Sequence, residues 1–188
     1  MMQIDVKGYN EAEAVDMGGF KRLPAGGYVC RVQAVRADKS QAGNDIIVLR
    51  LDIAEGEYSG YFSKDYMHSL KRFGEQAFWK GTYTQATSGK SLGFFKGLLE
   101  AFKASNAGYE PQFSDKGDWD EQELRGKFIG FVFREETSPS TGKTAIVARF
   151  PKDVAAIKSG NFTVPAPVTR QYYGPESGDP LADEEIPF

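Results

Sequence analysis

The stretch Asp45 to Ile53 sets the tightest limit on the fold. Ile47, Leu49, Leu51 and Ile53 alternate with Val48, Arg50 and Asp52. A period of two sends successive side chains to opposite faces of an extended strand, whereas a helix needs apolar residues three and four apart. Such a strand is stable only beside others, so the chain must build a sheet. The 21 glycines and 9 prolines supply tight turns and work against a helical bundle or a coiled coil.

A single cysteine, Cys30, and a single histidine, His68, remove most site chemistry. A zinc site needs several Cys or His ligands and a disulfide needs two thiols. No metal, no cofactor and no catalytic residue is expected, and Cys30 reads as a small core residue. The longest apolar run, around Phe128 to Phe133, has the length of one strand, and the opening MMQIDVKGYNEAEA has no basic start followed by an apolar segment. A soluble, cytoplasmic protein without a membrane segment is therefore expected.

The formal net charge is −3 over 188 residues, but the charge is unevenly placed. Residues 160–188 hold Arg170 against Glu176, Asp179, Asp183, Glu184 and Glu185, and residues 108–123 hold Lys116 against Glu110, Asp115, Asp118, Asp120, Glu121 and Glu123. Outside these islands and residues 1–26, the chain carries 18 basic and 11 acidic residues. The expected division is a lead-in over 1–26, a basic folded body over 27–159 with an acidic loop at 108–123, and a flexible acidic tail over 160–188.

Within the body, Tyr28 to Ala37 predicts a first strand whose alternation slips at Val35, the mark of a bulge. A polar turn, Asp38 to Asn44, leads to the second strand at Asp45 to Ile53. After a turn at Glu55 to Gly60, the aromatic run Tyr61 to Tyr66 predicts a third strand, continuing in Ala77 to Gln85. Leu92, Phe95, Leu98, Leu99 and Phe102, three and four apart, predict a helix over Ser91 to Asn106 with one apolar face. Lys127 to Glu135 and Lys143 to Phe150 predict two more strands joined by TSPSTG. The fold class is thus all-β with one helix. Five strands with a helix between the third and fourth follow the order of a five-stranded OB barrel.

Ser88-Gly89-Lys90-Ser91 and Thr141-Gly142-Lys143-Thr144 imitate phosphate-binding loops, yet Thr84 and Thr137 stand where the first glycine of such a loop is required, which argues against an NTPase. The acidic loop could suggest a metal-dependent nuclease, but metal ligands belong on rigid elements. More informative are cations interleaved with aromatic rings. Rings stack on unpaired bases while Lys and Arg follow phosphates, with no base-edge readout. On this basis Arg31, Lys39, Arg50, Tyr61, Lys64, Tyr66, Lys71, Arg72, Trp79, Lys80, Tyr83, Arg134, Lys143 and Arg149 are the candidate nucleic-acid-binding residues, on the face of the second and third strands and its flanking loops. About half the rings of the aromatic constellation are expected to fill the barrel, Phe62 and Phe78 first among the core members.

The chain closes with Asp183-Glu184-Glu185-Ile186-Pro187-Phe188, after a segment too poor in aliphatic residues to pack. This tip resembles the C-terminal tail of bacterial single-stranded DNA-binding proteins, which ends in acids followed by Ile-Pro-Phe. The phrases LPAGGY, IAEGEYSGY, FFKG and LRGKFIG, over roughly residues 23–164, resemble phage-type single-stranded DNA-binding proteins. These resemblances imply a protein that coats single-stranded DNA without sequence preference in phage or mobile-element replication, recombination or repair, within a bacterial host cell. They imply that Ile186 and Phe188 dock on replication and recombination proteins while Asp183, Glu184 and Glu185 steer the encounter. The body departs from the bacterial pattern, which favours a monomer or dimer over a tetramer. The rival expectations are an OB-scaffold adaptor that binds only proteins, and a nuclease built on the acidic loop. An anionic tail tethered near a cationic groove competes with DNA locally. Removal of residues 180–188 is therefore expected to leave or strengthen oligo-dT affinity while abolishing partner capture; weaker DNA binding by the shortened chain refutes the competition.

Overall fold

The computed structural model describes residues 21–170. β1 (Gly26–Lys39) is fourteen residues long and serves two ladders. Residues 30–39 pair antiparallel with β2 (Asp45–Ile53), and residues 26–31 with β4 (Phe128–Thr137). The β1–β2 register shifts between Val32 and Ala34, so Gln33 is the extra residue of a bulge that bends the strand from one partner toward the other. The bulge thus sits two residues earlier than the phase slip at Val35 suggests. β3 (Thr82–Ala86) adds to β2 and β5 (Thr144–Lys152) to β4, giving the path β3-β2-β1-β4-β5. A two-residue β6 (Val168–Thr169) runs parallel to β4.

The result is a mainly antiparallel six-stranded sheet, and it is not closed into a barrel. Closure requires a hydrogen-bonded register between the terminal strands. β3, five residues long, forms a ladder to β2 and packs against β5 without forming one to it.

The aromatic run at Tyr61 is not a strand but the start of α1 (Tyr61–Phe73). Gly60 at its N-cap offers no side-chain cap. Asp52 of β2, 4% exposed, supplies one from across the fold: its carboxylate accepts from the Phe62 N–H at 2.9 Å and from the Ser63 hydroxyl, and also from the Ile53 N–H at 2.9 Å. A carboxylate at a helix start satisfies backbone donors that otherwise lack partners. The expected continuation of the strand survives only as β3.

α2 (Leu92–Ser105) lies between β3 and β4 and buries Phe95, Leu98, Leu99 and Phe102. Leu92, assigned to that apolar face, is exposed, because it opens the helix before the first turn reaches the sheet. A third helix, α3 (Val154–Lys158), follows β5. The main core joins α1 and α2 to β1, β2 and β4 through Val32, Leu49, Leu51, Ile129, Phe131 and Phe133, and α3 packs Ile157 beside Val29 and Val132 in a second cluster. Phe62 stacks on Phe133 with ring centres 5.9 Å apart. Cys30 is fully buried, and burial raises its thiol pKa, which leaves it a core residue. Phe78 is only partly buried.

Residues 160–170, expected to begin the tail, run along the sheet: Phe162 packs beside Val29 and Val132, and the Arg170 N–H donates to the Thr137 carbonyl at 2.9 Å. The lead-in before Lys21 and the acidic tip lie outside the described residues. Among those residues no helix is long and apolar enough to cross a membrane.

Asp52 ties β2 to α1, so Asp52→Ala should destabilise the fold by about 1–3 kcal/mol, the cost of leaving buried donors unsatisfied. Gly81→Ala should cost about 1–3 kcal/mol by overpacking, because its Cβ would lie 2.4 Å from the Leu51 carbonyl oxygen. Urea unfolding of both variants checks these values.

Candidate functional site

Two clefts flank the line where β3 and β5 pack without a ladder. The smaller, about 520 Å³, lies between Thr82–Thr84, the start of α1 and Thr144–Arg149. Arg22, Lys80, Lys143, Arg149 and Arg170 line it, with no acidic residue among its lining. The larger, about 1310 Å³, continues toward the start of α2 and residues 160–170, and adds Lys90, Arg134 and Lys152 against the single acid Glu136. The first turn of α2 also opens onto this cleft through Gly93 and Phe94, and the backbone N–H groups of a helix start carry partial positive charge.

The register explains why cations gather here. Arg134 and Glu136, two apart on β4, share a face of the sheet. The β4–β5 register shifts between Val132, opposite Phe150, and Phe133, opposite Ala148. Arg149 is the extra residue of this bulge and turns to the same side. It forks onto both oxygens of Glu136 at 2.7 and 2.8 Å, while Arg134 donates to Oε1 at 2.5 and 3.2 Å. Arg170 reaches Oε2 at 3.9 Å, and β6 lies alongside at Val168. Three arginines thus converge on one carboxylate that is 1% exposed. Burial on its own would raise the Glu136 pKa, but hydrogen bonds and charge from Arg149 and Arg134 outweigh it and hold the carboxyl down at about 2. Glu136 stays ionised and fixes the guanidinium planes in place. Two further acids touch the clefts' cations: Asp65 pairs with Lys80 at 3.0 Å and Glu135 with Arg22 at 3.5 Å. Eight cations against three carboxylates leave a local positive excess.

Among the candidate residues, Tyr61, Trp79, Lys80, Tyr83, Arg134, Lys143 and Arg149 come together at the clefts. Tyr83 is not an accessible ring there. It is 6% exposed, its ring lies 4.7 Å from that of Phe131, and its hydroxyl donates to the Gln85 Oε1 at 2.9 Å. Trp79 is half-buried, its Nε1 donating to the Leu51 carbonyl at 2.9 Å. Tyr61 accepts from the Leu23 N–H at 3.2 Å.

The remaining candidates line neither cleft. Arg31 bonds the Gly126 carbonyl beside Phe128, Lys39 pairs with Asp45 at the β1–β2 turn, and Arg50 is exposed on β2. Lys64, Tyr66, Lys71 and Arg72 are carried away on α1, the consequence of that segment being helical.

Sequence reasoning missed Arg22, Lys90, Lys152, Arg170 and two rings. Phe94, 72% exposed, and Phe150, 40% exposed and 5.7 Å beneath the Arg134 guanidinium, stand open on the larger cleft. The signal for Phe94 was present: it falls off the three-and-four spacing of α2. The acidic loop is occupied in local structure: Asp120 caps a short 3-10 turn and Glu123 accepts from Tyr109 and Trp119. No group of three or more His, Cys, Asp or Glu side chains is placed to hold a metal ion among the described residues.

A depressed carboxyl pKa stabilises the fold above the unfolded-state value near 4.5, and the contribution is lost as pH falls toward about 2. The shift corresponds to on the order of 3 kcal/mol. Urea unfolding between pH 7 and pH 2 should show this acid-side loss in the native chain. Glu136→Gln should be less stable at pH 7 and lack that portion of the pH dependence. No protein-family model matches the sequence and no curated protein matches it, so what these clefts hold rests on their own chemistry.

Proposed function

We propose that the protein binds single-stranded DNA without sequence preference along the two clefts between β3 and β5, on an open variant of the OB strand order. The single observation that carries this reading is the clefts' lining of eight Lys and Arg side chains against one Glu, with Phe94 and Phe150 exposed among them. Arginines held on Glu136, together with the cleft lysines, suit a run of phosphates. Open rings suit bases, which contribute about 1–3 kcal/mol each when stacked. The half-buried Trp79 and Tyr61 form a wall of the smaller cleft, whereas Phe94 and Phe150 offer free faces. Bases in a duplex present no such faces, which favours single strands. A noncatalytic role in coating strands during replication, recombination or repair follows from this binding mode, with the terminal acidic segment serving partner proteins.

Oligo-dT titration followed by tryptophan fluorescence tests the reading. Binding should weaken steeply between low and high salt, because each neutralised phosphate releases a counterion. Lys80→Glu with Lys143→Glu should lower affinity at least tenfold. Phe94→Ala should cost about 1–3 kcal/mol, most of it independent of salt. Absence of oligo-dT binding favours a protein-binding adaptor, equal affinity for duplex DNA removes the single-strand reading, and tighter binding of oligo-U moves the ligand to RNA.

A further inference from the structure

We infer that the outer face of α1 receives the acidic loop of a second copy of this chain, in a head-to-tail contact. Met67, Leu70 and Phe73 stand three residues apart along α1, and all are exposed, Phe73 by 53%. Apolar residues at that spacing form one stripe on a helix. Beside it, Lys71 and Arg72 close the helix, and neither pairs with a carboxylate among the described residues. Arg72 lies 5.2 Å from the Phe73 ring, so the stripe is edged by cations that have no carboxylate partner among the described residues, and such an exposed apolar surface marks a place that another molecule covers.

The complement lies on the same molecule, in the loop before β4. Phe113 is 53% exposed there, and Asp115 and Asp118, both exposed, make no ion pair among the described residues. An exposed ring flanked by acids matches an apolar stripe flanked by bases in both chemistry and sign. The two patches differ, so the contact is heterologous. Joining the helix of one copy to the loop of the next leaves a free helix and a free loop, and assembly can continue. Opposite charges steer such an encounter, and salt screens the attraction beyond a Debye length of about 8 Å at physiological ionic strength. The contact does not depend on nucleic acid. Where a strand aligns neighbouring copies, the same contact makes their binding cooperative.

Sedimentation velocity of the full chain over a concentration series at low salt tests this without DNA. The weight-average mass should rise above the 20.8 kDa of one chain and fall back on adding salt. Lys71→Glu with Arg72→Glu should stay monomeric, as should Asp115→Lys with Asp118→Lys; all four positions are exposed, and circular dichroism verifies that both variants fold. Mixed in equal amounts, the variants set an intact helix against an intact loop and a reversed helix against a reversed loop, opposite in sign at both junctions, and should regain the association that each lacks alone. A monomeric native chain, association indifferent to either pair of reversals, or a mixture that stays monomeric overturns the inference. So does association kept by the loop variant but lost on deleting residues 183–188, which assigns the helix face to that acidic segment instead.

Discussion

β1 has to serve two ladders at once, and the geometry of the remaining strands follows from how it does so. Its first residues pair with β4 and its later ones with β2, and the shift between Val32 and Ala34 lets one strand change direction between them. A flat strand could not bring β2 and β4 around the same core. Because the sheet curls about β1, its two ends, β3 and β5, arrive beside one another on the far side. They pack there without a ladder, and the clefts flank the line where they meet. The region of interest thus lies where the two ends of the sheet meet without hydrogen-bonded pairing.

Charge is organised around that seam by a second constraint. A buried carboxylate needs partners, and Glu136 finds them in Arg134 and Arg149, with Arg170 close by. The bulge in β5 brings Arg149 to the same side as Arg134, so local irregularity of a strand becomes alignment of guanidinium groups. Satisfying Glu136 consumes part of their charge and leaves the rest directed at the clefts. An arrangement of this kind is pre-organised: the arginines are already ordered before an anion arrives.

Elements governed by their own periodicity were legible. Asp45–Ile53 forms a strand over the predicted span, α2 covers Leu92–Ser105 where spacing places it, and β4 and β5 lie within two residues of their expected bounds. The segment from Tyr61 was misread because its aromatic content favours strands. Its helical start is held by Asp52, ten residues before the Phe62 N–H that it accepts from and brought close only by the fold. That one change carried Lys64, Tyr66, Lys71 and Arg72 off the expected face. Tyr83 was misjudged for a different reason: Tyr83 to Ala86 are all buried, so both faces of β3 are covered and there is no outer face on which its ring could stand.

By itself the sequence determined that this chain makes a sheet with a helix before its last two long strands, that its body carries surplus positive charge, and that it has too few Cys and His for most metal chemistry. Those properties are set by composition and by neighbours a few residues apart. Only the tertiary structure decided that the sheet stays open, that α1 is a helix, that Arg22, Lys90, Lys152 and Arg170 join the seam, and that Phe94 and Phe150 are the open rings. Each depends on contacts between residues distant in the chain, and pairing, burial and capping at such distances leave no period in a linear sequence.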